Sequence, residues 1–150
     1  MKGINIYLAD DDLDDVGFFK EAVKQVCPSC SLTTSKNGKE MIDSMLSAKK
    51  FLPQIVFLDI NMPVMNGLEC LKIIRANPRF NSVPVIMLTT SSSQIAVEVA
   101  YKLGANLFIK KPMDFKDLKN IIRLVISADW TRQRYPAELS GAAYCISFPA

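Results

Sequence analysis

Acidic, hydroxyl and amine side chains follow four apolar runs of the chain, each at the point where the run stops. They are Asp10 with Asp11, then Asp59, Thr89 and Lys111. Carboxylates held close together repel one another unless a cation compensates them, and Mg²⁺ prefers such oxygen ligands. A carboxylate beside the ion can attack a phosphoryl group, whose negative charge a lysine and a hydroxyl stabilise. These residue types predict magnesium-dependent phosphoryl chemistry, provided that the fold brings the four segments together.

The elements that must position these residues alternate regularly. Five short runs rich in Ile, Val, Leu and Phe predict strands. They are INIYLA (4–9), SLTTSK (31–36), QIVFLD (54–59), PVIMLT (84–89) and NLFIK (106–110). Between and after them, apolar residues recur at spacings of three and four, which predicts five helices.

This alternation predicts an α/β fold, a doubly wound five-stranded parallel sheet with helices on both faces. At this size we expect the flavodoxin-like strand order 2-1-3-4-5. Ligands of such sheets bind outside the carboxyl ends of the strands, at the point where the strand order reverses. The carboxylates, the hydroxyl and the ammonium are therefore expected to converge there.

The length and charge of the chain limit its organisation and its partners. We predict one domain over 1–128 and a C-terminal extension over 129–150, too short to be a separate effector domain. The net charge is +3, and the scattered lysines and arginines form no basic stripe, which argues against nucleic-acid binding. The chain has no apolar stretch long enough to cross a bilayer and no signal peptide, so no membrane association and a cytoplasmic location are expected.

Each candidate residue has a simpler explanation. Acids that follow strands are often helix N-caps, and we favour that role for Asp12, Asp14 and Asp15. Thr89 could be an ordinary strand-end threonine, and Lys111 a solvated loop lysine. The candidate residues follow the first, third, fourth and fifth predicted strands, whose ends would meet at one edge of the sheet. This joint placement makes a magnesium and phosphoryl site the stronger interpretation.

Cys27 and Cys30 have the C-x-x-C spacing of a redox pair or of half a zinc site. Zinc requires four ligands, but the chain has no histidine and its other two cysteines are isolated. The favoured interpretation is a pair of reduced thiols at a turn between a helix and a strand.

Four motifs together make residues 4–128 resemble the receiver domain of two-component response regulators. They are ADD (9–11), LDINMPVMNG (58–67), LTTS (88–91) and KKP (110–112), in that family's order and at its usual separations. The segment NPRFNSVPVIMLTTS (77–91) is similar to single-domain receivers that accompany phytochrome-type sensor kinases.

The resemblance implies a role for each matching position. Asp59 would accept the phosphoryl group, while Asp11 would bind Mg²⁺ directly and Asp10 through water. Asn61 would offer its backbone carbonyl to the ion. Thr89 and Lys111 would bond the phosphoryl group, and the bond from Lys111 to Pro112 is expected to be cis. Phe108 would be the aromatic switch residue, without the hydroxyl of the tyrosine that relatives often carry.

The resemblance further implies that the protein is a switch and not an enzyme. It would catalyse only its own phosphotransfer and autodephosphorylation. A sensor histidine kinase or phosphotransfer protein would donate the phosphoryl group to Asp59. The signal would pass to a downstream protein target or to a homodimer, through the face made by the fourth helix, fifth strand and fifth helix.

Two other functions remain open from the sequence. A magnesium-dependent phosphatase or phosphotransferase could use the D-x-D pair Asp10 and Asp12, although this leaves LDINMPVMNG unexplained. The chain could also be an interaction module that works without phosphorylation.

Overall fold

The computed structural model describes residues 3–49, 51–131 and 145–146. The strands are β1 (Asn5–Ala9), β2 (Ser31–Ser35), β3 (Ile55–Leu58), β4 (Val85–Thr89), β5 (Leu107–Lys110) and β6 (Cys145–Ile146). The helices are α1 (Leu13–Val26), α2 (Gly38–Ser47), α3 (Gly67–Ala76), α4 (Gln94–Leu103) and α5 (Phe115–Ser127). A 3-10 turn, Pro78–Phe80, precedes β4.

The five predicted strands form a parallel sheet in the order β2-β1-β3-β4-β5. This confirms the predicted fold class and strand order. The short strand β6, which the sequence pattern did not reveal, pairs antiparallel with β5.

Every helix begins after a side chain that accepts a backbone N–H of its first turn. These N-caps are Asp12, Asn37, Asn66, Ser93 and Asp114. Short polar side chains satisfy N–H groups that have no partner within the helix. Because these side chains fix where each helix starts, they also fix the length of the loop that leaves each strand.

Apolar side chains pack on both faces of the sheet, because successive residues of a strand point to opposite sides. Ile6 and Leu8 lie with Phe19 of α1 and Ile122 of α5 in one buried cluster. A second cluster joins the other face of the sheet to α2, α3 and α4, with Phe108 among its members. The two clusters hold the carboxyl ends of the strands in a fixed arrangement.

Cys27 and Cys30 are joined by a disulfide, with their Cα atoms 5.4 Å apart, so the expectation of two reduced thiols is wrong. Cys27 is the C-cap of α1, and its carbonyl accepts the Cys30 N–H at 3.0 Å. This tight turn toward β2 brings the two side chains together. Cys70 is a free thiol, and burial raises its pKa to about 12.

No helix among the described residues has the length and apolar character that a bilayer-spanning segment needs.

Candidate functional site

Backbone hydrogen bonds of the sheet continue into the residues that follow the strands. The Asp59 N–H donates to the Ala9 carbonyl at 2.9 Å, and the Lys111 N–H donates to the Thr89 carbonyl at 2.9 Å. The first bond ties the end of β3 to the end of β1, and the second ties β5 to β4. The main chain of Asp59 and Lys111 is therefore held in place by the hydrogen-bond pattern of the sheet.

The two-residue period of the strands sorts the site side chains by face. Asp10, Asp59 and Lys111 each lie two positions after an inward-facing strand residue and therefore share its face of the sheet. The strand residues on that face are Ile6 and Leu8 in β1, Ile55 and Phe57 in β3, and Leu107 and Ile109 in β5. All these apolar residues belong to the cluster that packs against α1 and α5. The two acids and the lysine therefore point toward the N-terminal end of α1.

Lys111 binds three carboxylates at once. Its Nζ lies 2.8 Å from Asp10, 2.8 Å from Asp15 and 3.1 Å from Asp59. The side chain of Lys111 is 12% exposed, and that of Asp10 is 3% exposed. An ammonium has three N–H donors, so the three carboxylates account for all of them.

Burial and charge act in opposite directions at this cluster. Burial raises the pKa of Asp10 to about 6, although the Lys111 ammonium and the Asp12 N–H act to lower it. Burial also favours the neutral form of Lys111, but the hydrogen bonds and charges of its carboxylate partners outweigh that effect and raise its pKa. One lysine does not balance three neighbouring acids, which leaves the site with negative charge for a further cation.

Asp10, Asp11 and Asp59 each place one carboxylate oxygen within 4.8 Å of the corresponding oxygens of the other two. Two of these acids are buried, and Asp11 is exposed. Hard oxygen donors converging from two strand ends suit a divalent cation such as Mg²⁺, which keeps several waters beside one or two carboxylates. Asn61 is exposed in the loop that follows β3. The donor set therefore fits the ion predicted from the sequence.

The loop between β3 and α3 contacts both the side chain and the main chain of Asp59. The Ile60 N–H donates to Asp59 Oδ1 at 2.7 Å. Asn66 and Glu69 form a reciprocal capping box at the start of α3. A Cβ atom added at Gly67 would lie 2.0 Å from the Asp59 carbonyl oxygen, so only glycine fits there.

Thr89 and Phe108 lie in neighbouring strands and belong to the opposite face of the sheet from Lys111. Both are fully buried, and Phe108 packs in the cluster beneath α3 and α4. Thr89 Oγ1 accepts the Ser91 N–H at 3.2 Å. Thr89 thus joins the lysine segment through its main chain, while its side chain lies beside the loop that leads into α4.

The peptide bond between Lys111 and Pro112 is trans, as are the other peptide bonds of the described residues, so the expected cis bond is wrong. For a bond that precedes proline, trans is the lower-energy isomer by about 0.5–1 kcal/mol. Lys111 reaches the carboxylates with the bond in this form.

The acids at the start of α1 do not share one role. Asp12 is the N-cap, as expected, and accepts the N–H groups of Asp14 and Asp15. Asp15, in contrast, forms an ion pair with Lys111, a contact that the sequence pattern did not predict. A signal was present, because Asp15 lies one helical turn before the buried Phe19 and so faces inward.

Known proteins with similar sequences share this arrangement of elements. The model of the response regulator receiver domain family matches residues 6–123. Response regulator Rcp1 of Synechocystis sp. (strain PCC 6803) is 35% identical over 129 residues, which make up 79% of this chain and 83% of Rcp1. The structure of the Mn(2+)-bound form of response regulator Rcp1 has a TM-score of 0.72 at 24% identity, and the match covers 98% of this chain and 99% of that chain.

A longer relative matches over only part of its length. The protein-glutamate methylesterase/protein-glutamine glutaminase of Methanococcoides burtonii is 30% identical over 116 residues, which are 73% of this chain and 31% of that protein. This chain therefore spans about a third of that relative.

The match to the family model covers the five parallel strands, except Asn5, and the acidic site. The protein therefore belongs to the response regulator receiver domain family, whose members are phosphorylation-dependent switches of two-component signalling.

Proposed function

We propose that Asp59 accepts a phosphoryl group from the phosphohistidine of a sensor histidine kinase or a phosphotransfer protein. The supporting observation is the contact of Asp59 Oδ2 with the Lys111 ammonium, at 3.1 Å within a largely buried acidic cluster. These 150 residues contain no histidine, so the donor histidine lies outside them. Asp59 attacks phosphorus to form a P–O bond, the P–N bond breaks, and the electron pair leaves with the donor imidazole.

The neighbouring side chains hold the nucleophile in one orientation. The Ile60 N–H donates to Asp59 Oδ1, and Lys111 donates to Oδ2. Lys111 can then pair with an oxygen of the incoming phosphoryl group and stabilise its charge. In our proposal Asp10, Asp11, Asp59 and the Asn61 carbonyl hold Mg²⁺, which when bound would neutralise charge on the phosphoryl oxygens.

Thr89 and Phe108 are proposed to carry the signal away from Asp59. The Thr89 hydroxyl would donate to the phosphoryl group and move toward it, and the Phe108 ring would follow into the space released. Because Phe108 is already buried and has no hydroxyl, its shift would act through packing alone. The output surface would be the face of α4, β5 and α5, binding a downstream protein or a second copy of the chain.

We also propose that residues 1–128 form the switch and that 129–150 are an extension of it. Trp130 supports the description of 129–150 as an extension that packs against the switch, because its indole N–H donates to the Val125 carbonyl at 3.0 Å and its side chain packs with the α5 cluster.

Mass spectrometry of the full chain after incubation with acetyl phosphate and Mg²⁺ tests the proposal. We expect the mass of one phosphoryl group to be added on Asp59, and Asp59→Asn to abolish the addition. Modification of Asp10 would instead indicate an aspartate-nucleophile phosphotransferase, and no modification of the wild type would indicate an interaction module that works without phosphate. If phosphorylation changed neither self-association nor partner binding, the proposed output would be wrong.

A further inference from the structure

Asp15 makes a long-range contact that its position in the sequence does not require. Its Oδ2 lies 2.8 Å from Lys111 Nζ, although the two residues are 96 positions apart. The Asp15 side chain is 39% exposed, so it lies at the rim of the site, whereas the Lys111 side chain is 12% exposed. The contact joins the first turn of α1 to the segment that follows β5.

The acids next to Asp15 show that this contact is specific to one position. Asp12 uses its carboxylate to cap α1, and Asp14 is exposed beside it. Asp14 and Asp15 both lie in the first turn and are equally placed to favour the helix dipole. A role in helix stability would therefore be shared by both residues, whereas only Asp15 contacts the lysine among the three.

The three carboxylates on Lys111 have different fates during the proposed phosphoryl transfer. Asp59 becomes an acyl phosphate, and Asp10 belongs to the set of acids that converges for the cation. Asp15 is outside that set, and in the proposed transfer it neither binds the cation nor accepts the phosphoryl group. It is therefore the one carboxylate of the three that can stay on the ammonium throughout.

We propose that Asp15 is a positioning residue for Lys111, an inference that rests on the proposed function of Asp59. The Asp15 carboxylate holds the ammonium at the mouth of the site while its contacts with Asp10 and Asp59 are exchanged for a phosphoryl oxygen. α1 makes this a rigid support, since Asp12 caps its start and Phe19, one turn after Asp15, is buried against Phe57. A flexible lysine side chain is thereby placed before the phosphoryl group arrives, which removes an ordering step from the reaction.

The test compares Asp15→Asn with the matched control Asp14→Asn, which removes the same charge from the same helical turn. Phosphorylation of each full-length variant by acetyl phosphate is followed at saturating Mg²⁺ and over a range of donor concentrations. We expect the maximal rate of Asp15→Asn to fall about tenfold, because misplacing a reacting group by about 1 Å can cost up to a hundredfold. Asp14→Asn should stay within about twofold of the wild type, the effect of an exposed charge being small.

A double-mutant cycle with Lys111→Ala separates positioning from a general effect on the fold. If Asp15 acts through Lys111, Asp15→Asn should slow phosphorylation no further in the Lys111→Ala background. Unfolding curves of all variants show whether each is folded under the assay conditions, so that a lower rate caused by unfolding can be recognised. An equal effect of Asp15→Asn in both backgrounds would overturn the proposal.

Hydrogen exchange of the Lys111 ammonium, followed by ¹⁵N NMR in the absence of any phosphodonor, gives a readout independent of activity. We expect faster exchange in Asp15→Asn and unchanged exchange in Asp14→Asn. An unchanged or faster phosphorylation rate in Asp15→Asn would overturn the positioning role alone, while a wild type that accepts no phosphoryl group would overturn the proposed function itself.

Discussion

Asp10 is deeply buried, and among the described residues its negative charge is paired with one lysine, Lys111. The Asp10 pKa of about 6 lies above the ordinary value of 3.8, chiefly because burial disfavours the ionised form. Between these two pH values the folded protein binds a proton that the unfolded chain does not. The contribution of Asp10 to the free energy of unfolding is therefore complete below about pH 4 and is lost as the pH rises through 6.

Without divalent cations, Asp10→Asn is expected to be more stable than the wild type at pH 7, by roughly 3 kcal/mol at most. The advantage should disappear near pH 4, where wild-type Asp10 is also neutral. Urea unfolding of both proteins at a series of pH values measures it, with the exposed Asp14→Asn as the control. An advantage that does not change between pH 4 and 7 would show that ionisation of Asp10 is not its cause.

The same ionisation should control metal affinity, because a carboxylate must lose its proton to bind a cation. We expect the apparent affinity for Mg²⁺ to be about tenfold weaker at pH 5 than well above pH 6. Calorimetric titration of the wild type at these pH values measures the change. An affinity that is independent of pH would exclude Asp10 from the metal site.

At the scale of elements, the loop between β3 and α3 is built to hold Asp59 close to the start of α3. The Gly67 N–H donates to the Ile60 carbonyl at 2.9 Å, and there is no room for a Cβ atom at Gly67. Val64 in the same loop has φ of 66°, which is unusual for a β-branched residue. The Met65 N–H donates to the Pro63 carbonyl at 2.7 Å, so Val64 occupies the centre of a tight turn. The loop therefore combines a close backbone approach with a sharp reversal next to the proposed phosphorylation site.

Gly67→Ala is expected to lower the free energy of unfolding by about 3 kcal/mol, since the new methyl group would push against the Asp59 carbonyl. It should also slow phosphorylation of Asp59 by moving its backbone. The matched control is Gly17→Ala on α1, where nothing lies within 4 Å of the added Cβ. Gly17→Ala should stabilise the protein by about 0.5–1 kcal/mol. Denaturant unfolding measures both changes, and equal effects of the two substitutions would refute the steric explanation.

At the scale of the whole molecule, β6 changes the sheet that the five parallel strands would otherwise form. Phe108 and Ile109 of β5 pair with Ile146 and Cys145, and Ile146 packs against the cluster that contains Phe108. The outer side of β5 would otherwise be an unpaired edge, and such edges promote association with other chains. The extension therefore covers an edge within the surface that we propose as the output face.

Truncation after Thr131 is expected to leave the parallel sheet folded and to uncover the edge of β5. Loss of the partly buried Ile146 should lower the free energy of unfolding by about 1 kcal/mol. Self-association should increase, as measured by light scattering over a range of protein concentrations. Weaker self-association of the truncated chain than of the full chain would mean that the extension joins copies of the protein and does not shield the edge.

The sequence by itself determined the elements and most of the site residues. Its apolar periods located all five parallel strands to within one residue at either end, because the alternation of buried positions is a local property of strands. The four motifs identified the receiver family and directed attention to Asp10, Asp59 and Lys111, since the carboxyl ends of parallel strands share one edge of the sheet.

Only the tertiary structure decided which charged groups meet. Asp15 contacts Lys111 across 96 positions, and Asp12 and Asp14, close by in sequence, have other surroundings. The trans bond before Pro112 and the pairing of β6 with β5 were likewise not evident from local pattern. The C-x-x-C spacing left open whether Cys27 and Cys30 are joined, and the structure decides for the bond. Local periodicity records which face of an element is buried, whereas these features depend on the distance between side chains that packing alone brings together.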